Sequence, residues 1–254
     1  MHDIFERSRE SQFLEEKNHY RMNQVIIYHH LGLGDHIMCN GLVRKLIEKN
    51  SWDKVYVITK DYTTDSVAFM YRDIPTIECV NVKTDREACD HIVKTAIPSI
   101  VIGHSNLNLT NQKVDECFYS QVGINLNEKW NSFRIDRDVN REKKLLDIFK
   151  ISSDDHFVFV HDDNNKRIAS ERLSHFEGSV IRPIPSVTNN AFDYCSMIEL
   201  ADEVHCVDSS FRSLTDMLDV QGQLFFHKYA SNAYKAFPGE NGFPTMRKNW
   251  TVYS

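Results

Sequence analysis

At 254 residues, with 41% hydrophobic and 26% charged side chains, the chain is long enough for two compact units with cores of their own. No run approaches the roughly 18 apolar residues needed to cross a bilayer, and the charged opening stretch 1–21 lacks the apolar centre of a secretion signal. A net charge of −6 argues against broad nucleic-acid binding, and six cysteines without a close pair offer neither a zinc knuckle nor a disulfide framework. A reducing, cytoplasmic setting is therefore expected.

The first predicted strand, 24–28, is short and β-branched, and it runs into Gly32-Leu33-Gly34-Asp35 and a helix over 36–49. Gly32 and Gly34 are expected to take positive φ and bring the backbone close to a ligand. Asp35 either caps the helix or faces whatever binds above the sheet. Strands follow near 54–59, 77–82 and 99–103, with helices near 63–71 and 86–95. A mixed helical segment covers 111–123, and the charged stretch 138–144 reads as a linker or an exposed helix. The alternation restarts with a strand at 157–161 and a polar turn containing Lys166 and Arg167. After it come a strand at 179–182, a helix at 190–200, a strand at 203–207, a helix at 211–218 and a strand at 223–227. Residues 229–254, with two glycines and two prolines, read as a loop-rich closing segment. Repeated βαβ units imply an α/β fold of two Rossmann-like parallel-sheet halves, 1–140 and 141–254, facing across a cleft.

Ligands in open α/β sheets bind at the carboxyl ends of the strands, and polar residues gather there. Asp35 and His36 follow the first strand, and His104 and Ser105 follow the fourth. His161, Lys166 and Arg167 follow the first strand of the second half. Asp208, Ser209 and Ser210 open a helix whose unpaired amides suit a diphosphate, although Asp208 or Ser209 acting only as a helix cap is the simpler reading. Lys166 and Arg167 either balance charge on a departing pyrophosphate or form a solvated surface pair. The twelve histidines contain no His-Glu-x-x-His spacing, and the adjacent His29 and His30 would face opposite sides of a strand, so no metal site is expected. A Gly-x-Ser-x-Gly elbow and a phosphate-binding Gly-x-x-x-x-Gly-Lys loop are both missing. Gly32-Leu33-Gly34 lacks the third glycine of a dinucleotide fingerprint.

The Gly32-Leu33-Gly34-Asp35 turn resembles the amino-terminal signature of the lipopolysaccharide heptosyltransferase family, glycosyltransferases of the two-Rossmann GT-B architecture. Residues 198–204 followed by Asp208-Ser209-Ser210 and a helix are similar to that family's donor-site segment. Ser210 stands where the family usually has Gly, and Phe211-Arg212-Ser213 replaces its proline, methionine and histidine run. The resemblance implies an acceptor-side first half, a nucleotide-sugar-binding second half and Asp35 as the general base that activates an acceptor hydroxyl. Gly32, Gly34, His161, Lys166, Arg167, Asp208, Ser209 and Ser210 would then surround the donor. The expected activity is inverting, metal-independent transfer of a sugar from a nucleotide-sugar donor to a glycan or other hydroxyl acceptor, with no further cofactor. Two alternatives stay open: a catalytically silent nucleotide-sugar or glycan-binding module, and a nucleotide-sugar epimerase.

Overall fold

The computed structural model describes residues 23–104, 107, 109, 112–162, 167–230 and 242–254. Strands β1 (Gln24–Tyr28), β2 (Lys54–Lys60), β3 (Ile77–Val82) and β4 (Ser99–Val101) form one parallel sheet in the order β3-β2-β1-β4. Strands β5 (Phe157–His161), β6 (Ser179–Ile181), β7 (Glu203–Cys206), β8 (Gln223–His227) and β9 (Trp250–Tyr253) form a second, also parallel, in the order β6-β5-β7-β8-β9. The strand order reverses between β1 and β4 in the first sheet and between β5 and β7 in the second. These are the switch points at which such sheets leave a crevice.

Central strands are apolar along their length because both of their faces are covered. Val25, Ile26, Ile27 and Tyr28 of β1 are buried, as are Phe157, Val158, Phe159 and Val160 of β5. The helices are α1 (Leu33–Lys49), α2 (Thr64–Met70), α3 (Asp85–Thr95), α4 (Val114–Gln121), α5 (Glu128–Asn131), α6 (Val139–Phe149), α7 (Cys195–Leu200) and α8 (Ser210–Met217). Residues 36–43 of α1 are buried all round, the pattern of a helix enclosed on every side rather than one lying on a surface. A Cβ on Gly41 would stand 2.0 Å from the Glu128 carbonyl oxygen, so only glycine lets α1 and α5 approach so closely. One apolar cluster takes in Ile27 and Val57 from the first sheet and Phe159 and Val204 from the second.

Residues 242–248, between β8 and β9, cross from one half to the other. Buried Lys129 of α5 donates to Asp115 Oδ2 of α4 at 2.7 Å and to the Thr245 carbonyl at 2.6 Å, and the Thr245 amide donates to the same Asp115 oxygen at 2.9 Å. Two residues on, the amides of Arg247 and Lys248 donate to Asp216 of α8 at 3.1 and 3.2 Å. The Asp216 carboxylate also accepts the indole N–H of Trp130, at 2.9 Å, and of Trp250, at 3.2 Å.

Several expected bounds move. The first helix starts at Leu33 rather than at 36, and the fourth strand stops at Val101 because Gly103 and His104 turn the chain through positive φ. The stretch 138–144 is helical: Asp138 accepts the Arg141 amide at 3.1 Å as the cap of α6, and residue 140 lies inside that helix. The helix expected over 190–200 is a 3₁₀ turn at Ala191–Tyr194 followed by α7. The closing segment is not all loop, since Trp250–Tyr253 adds β9 to the sheet edge. Four residues are too few for periodicity to announce a strand, although Trp, Thr, Val and Tyr all favour one.

Candidate functional site

The β1 strand delivers His29 and His30 to the carboxyl edge of its sheet, and Gly32 caps α1. Gly32 has φ −70° and ψ 144°, and Gly34 lies inside the helix, so the expected positive φ is absent at both. What these glycines permit is close approach within the protein. A Cβ on Gly32 would lie 2.8 Å from Asp35 Oδ2, so the Asp35 carboxylate folds back over the turn. A Cβ on Gly34 would lie 3.5 Å from Ser210 Cα and from Ser213 Oγ, so the first turn of α1 meets the first turn of α8. The two halves thus bring two helix N-termini together.

Burial raises the Asp35 carboxyl, the negative charge of Asp208 raises it further, and the Gly32 and Asp35 amides offset only part of this, leaving it at about 7. Across the contact, Ser209 caps α8, its hydroxyl accepting the Arg212 amide at 3.4 Å. Asp208 Oδ1 accepts from Arg212 Nη2 at 3.0 Å. Arg212 is only 2% exposed; its guanidinium sits 4.8 Å over the Phe226 ring, and its Nε has no partner among the described residues. The capping reading therefore holds for Ser209, while Asp208 spends its charge partly on a buried arginine.

At the second switch point the His161 ring stacks on Phe211 with centroids 4.4 Å apart. Next to it, the buried Asp162 carboxylate gathers Arg167 and Arg182, each at 3.2 Å, and the Ile168 amide at 3.0 Å. One carboxylate thus stands between two guanidiniums at the end of β5. Lys166, Ser105 and the other residues of the 163–166 turn lie outside the described residues.

Two cavities flank the α1–α8 contact. The larger, about 630 Å³, is walled by Leu33, Tyr62, His161, Arg167, Arg182 and Ser210, with Pro183, Pro185 and Asn189 from the segment after β6. The smaller, about 300 Å³, is lined by His30, Gly34, Asp35, Asp208, Ser209 and Arg212, with Pro244 from the crossing segment. The sequence-derived set is thereby divided. His161, Arg167 and Ser210 belong to the first cavity, and Gly34, Asp35, Asp208 and Ser209 to the second; Gly32 shapes the turn between them.

Sequence reasoning passed over Arg182, Asp162, Arg212 and Tyr62. Arg182 had a signal, since it follows β6 as the other candidates follow their strands. Arg212 lies on a helix face that burial alone reveals. His30 also belongs to the smaller cavity: its Nε2 accepts the His104 amide at 2.9 Å, and burial with His104 nearby lowers it to about 4. It is neutral at pH 7 and supplies hydrogen bonding rather than charge. Among the described residues no group of three or more His, Cys, Asp or Glu is arranged to hold a metal ion.

No protein-family model and no curated protein matches the chain. Solved structures do. A family 9 glycosyl transferase from Veillonella parvula aligns with TM-score 0.57 at 9% identity, over 91% of this chain and 87% of that one. ADP-heptose lipopolysaccharide heptosyltransferase II from Escherichia coli aligns with TM-score 0.51 at 11% identity, over 81% and 84%. The iron-containing dodecameric glycosyltransferase TibC from enterotoxigenic E. coli aligns with TM-score 0.50 at 12% identity, over 80% of this chain and 57% of that one. The two parallel sheets of this chain are those of the GT-B fold.

Proposed function

We propose that the protein is a glycosyltransferase that moves a sugar from a nucleotide-sugar donor to an acceptor hydroxyl with inversion and without a metal ion. The observation that carries this reading is the placement of Asp35. Its carboxyl, raised to about 7, lines the smaller cavity at the contact between two helix N-termini, with the larger, arginine-bearing cavity on the other side. A base that titrates near neutrality is suited to take a proton from an alcohol in the transition state.

The nucleoside diphosphate occupies the larger cavity, its phosphates toward Ser210, Arg167 and Arg182, with Lys166 assigned to the same anion. Helix amides and guanidiniums stabilise the charge that develops there. The acceptor enters the smaller cavity. Asp35 removes the hydroxyl proton, and the hydroxyl oxygen forms its bond to the anomeric carbon. The bond from that carbon to the diphosphate oxygen breaks, and its electron pair leaves with the nucleotide. Asp208 and Ser209 act through the α8 terminus, Asp208 by holding Arg212 and raising the Asp35 carboxyl. The base then comes from the half that holds β1–β4 and the donor contacts from the half that holds β5–β9.

Incubation with a panel of nucleotide sugars, with and without candidate acceptors, tests the reading through nucleoside diphosphate release. Acceptor-dependent release, lost in Asp35→Asn, is the expected result. Tight donor binding with no release under any acceptor would instead identify a silent binding module, and an isomerised donor would identify an epimerase.

A further inference from the structure

Tyr62 belongs to the first half but lines a cavity built mainly by the second. Its side chain is 74% exposed, more than any other aromatic ring among the described large hydrophobics. A single exposed aromatic is unremarkable by itself; this one differs in how it is held. Tyr62 stands at the apex of a turn after β2, and the backbone on both sides is fastened. The Thr63 amide donates to the Lys60 carbonyl at 2.8 Å, and Thr63 Oγ1 accepts the Lys60 amide at 3.1 Å. Thr64 Oγ1 donates to the Lys60 carbonyl at 2.9 Å. Thr63 itself is 1% exposed, so the turn is anchored in the fold while its tip is presented to water.

The place of the turn is fixed as well. Helix α2, which starts two residues later, touches the segment after β6: Ser66 Oγ donates to the Asn189 carbonyl at 3.4 Å, and Phe69 stacks on Phe192 with centroids 5.9 Å apart. Tyr62 therefore sits toward the β6 side of the cavity, with Pro183 and Pro185 in the same walls. β6 is the edge strand and Ser210 follows β7, two places along the sheet, so Ser210 and the Asp35 turn it meets lie away from that side. Resting on the reading above, a donor must point its sugar toward Asp35, so the moiety at the far end is the nucleobase.

We infer that Tyr62 is the stacking platform for the nucleobase of the donor, contributed by the opposite half from the one that holds the phosphates. Base–aromatic stacking tolerates any base and adds about tenfold or more in affinity, so Tyr62 sets nucleotide binding without choosing among bases.

Calorimetry with UDP, ADP, GDP, CDP and inorganic pyrophosphate tests this on the full chain. Tyr62→Ala should weaken whichever nucleoside diphosphate binds the parent by about tenfold, leave pyrophosphate unchanged and melt at the parent's temperature. Tyr62→Phe should restore the affinity, and Tyr62→Trp should restore it with quenching of the new indole's fluorescence on nucleotide addition. Unchanged nucleoside diphosphate affinity in Tyr62→Ala overturns the stacking role alone. Equal loss for pyrophosphate overturns it in favour of a general effect on the cavity. A parent that binds no nucleoside diphosphate at all overturns the donor-site reading with it.

Discussion

Replacing Asp35 by asparagine should make the protein inactive and more stable at once. An unfolded aspartate titrates near 3.8, whereas the folded Asp35 holds its proton to about 7. Between those values the folded protein binds a proton that the unfolded chain has released, so the parent loses stability as pH rises through this window and does not regain it above. A displacement of that size is worth at most about 4 kcal/mol. Water in the adjoining cavity screens part of it, and a gain of about 2 kcal/mol for Asp35→Asn at pH 8 is expected. The two proteins should converge below pH 4. Turnover should fall by about 10²- to 10⁴-fold, the usual cost of losing a positioned general base. In the parent it should climb about tenfold per pH unit from 5 toward 7 and then level off. Melting curves at pH 4, 6 and 8, with nucleotide release across the same range, read both effects. A variant less stable than the parent at pH 8 would make the carboxylate a structural cap, and a flat pH–rate profile would falsify the base assignment.

Asp208→Asn removes a charge that raises Asp35, so the acidic limb of the rate profile should move to lower pH; an unmoved limb would detach the two carboxylates from each other. Gly34→Ala places a methyl at ordinary contact distance, 3.5 Å, from Ser210 and Ser213, and alanine is the better helix former by about 1 kcal/mol. Its melting temperature should hold or rise while turnover drops, because the methyl thickens the contact between the two helix N-termini that separates the cavities. Gly41→Ala, by contrast, drives a methyl to 2.0 Å from the Glu128 carbonyl oxygen and should cost on the order of 3 kcal/mol in urea titration. The buried His205 and His227 share a ring-nitrogen contact of 3.0 Å, and burial lowers His227 from 6.5 to about 4. The unfolded chain therefore takes up that proton first as pH falls below 6.5, and stability is lost between 6.5 and 4. His227→Gln should flatten this acid limb by about 2 kcal/mol in thermal melts; an unaltered limb would exonerate the pair.

The parallel sheets were readable because unbroken apolar runs such as 25–28 and 157–160 leave few alternatives, and the glycine turn before α1 was readable because two glycines and an aspartate end a strand. The conformation of those glycines was not, since sequence does not distinguish a glycine needed for positive φ from one needed to let Ser210 come near. Asp208 and Ser209 were placed at a helix start by local chemistry alone, but their contact with Asp35 depends on how two distant helices pack. Arg182 and Asp162 are 20 residues apart and become partners only when β5 and β6 pair. Tyr62 carries no sequence signal that separates it from a core tyrosine, because its exposure is a property of the turn.

The segment 242–248 bears on how the chain folds. Asp115 and Thr245 are 130 residues apart, and without Thr245 the buried Lys129 and Asp115 would lack the amide and carbonyl that complete their pairing. A buried ion pair left short of such partners is costly. The first half therefore cannot settle into its final packing until the connection between β8 and β9 is in place. Unfolding should follow suit as a single calorimetric transition shared by both sheets, and neither half is expected to stand as an autonomous fragment.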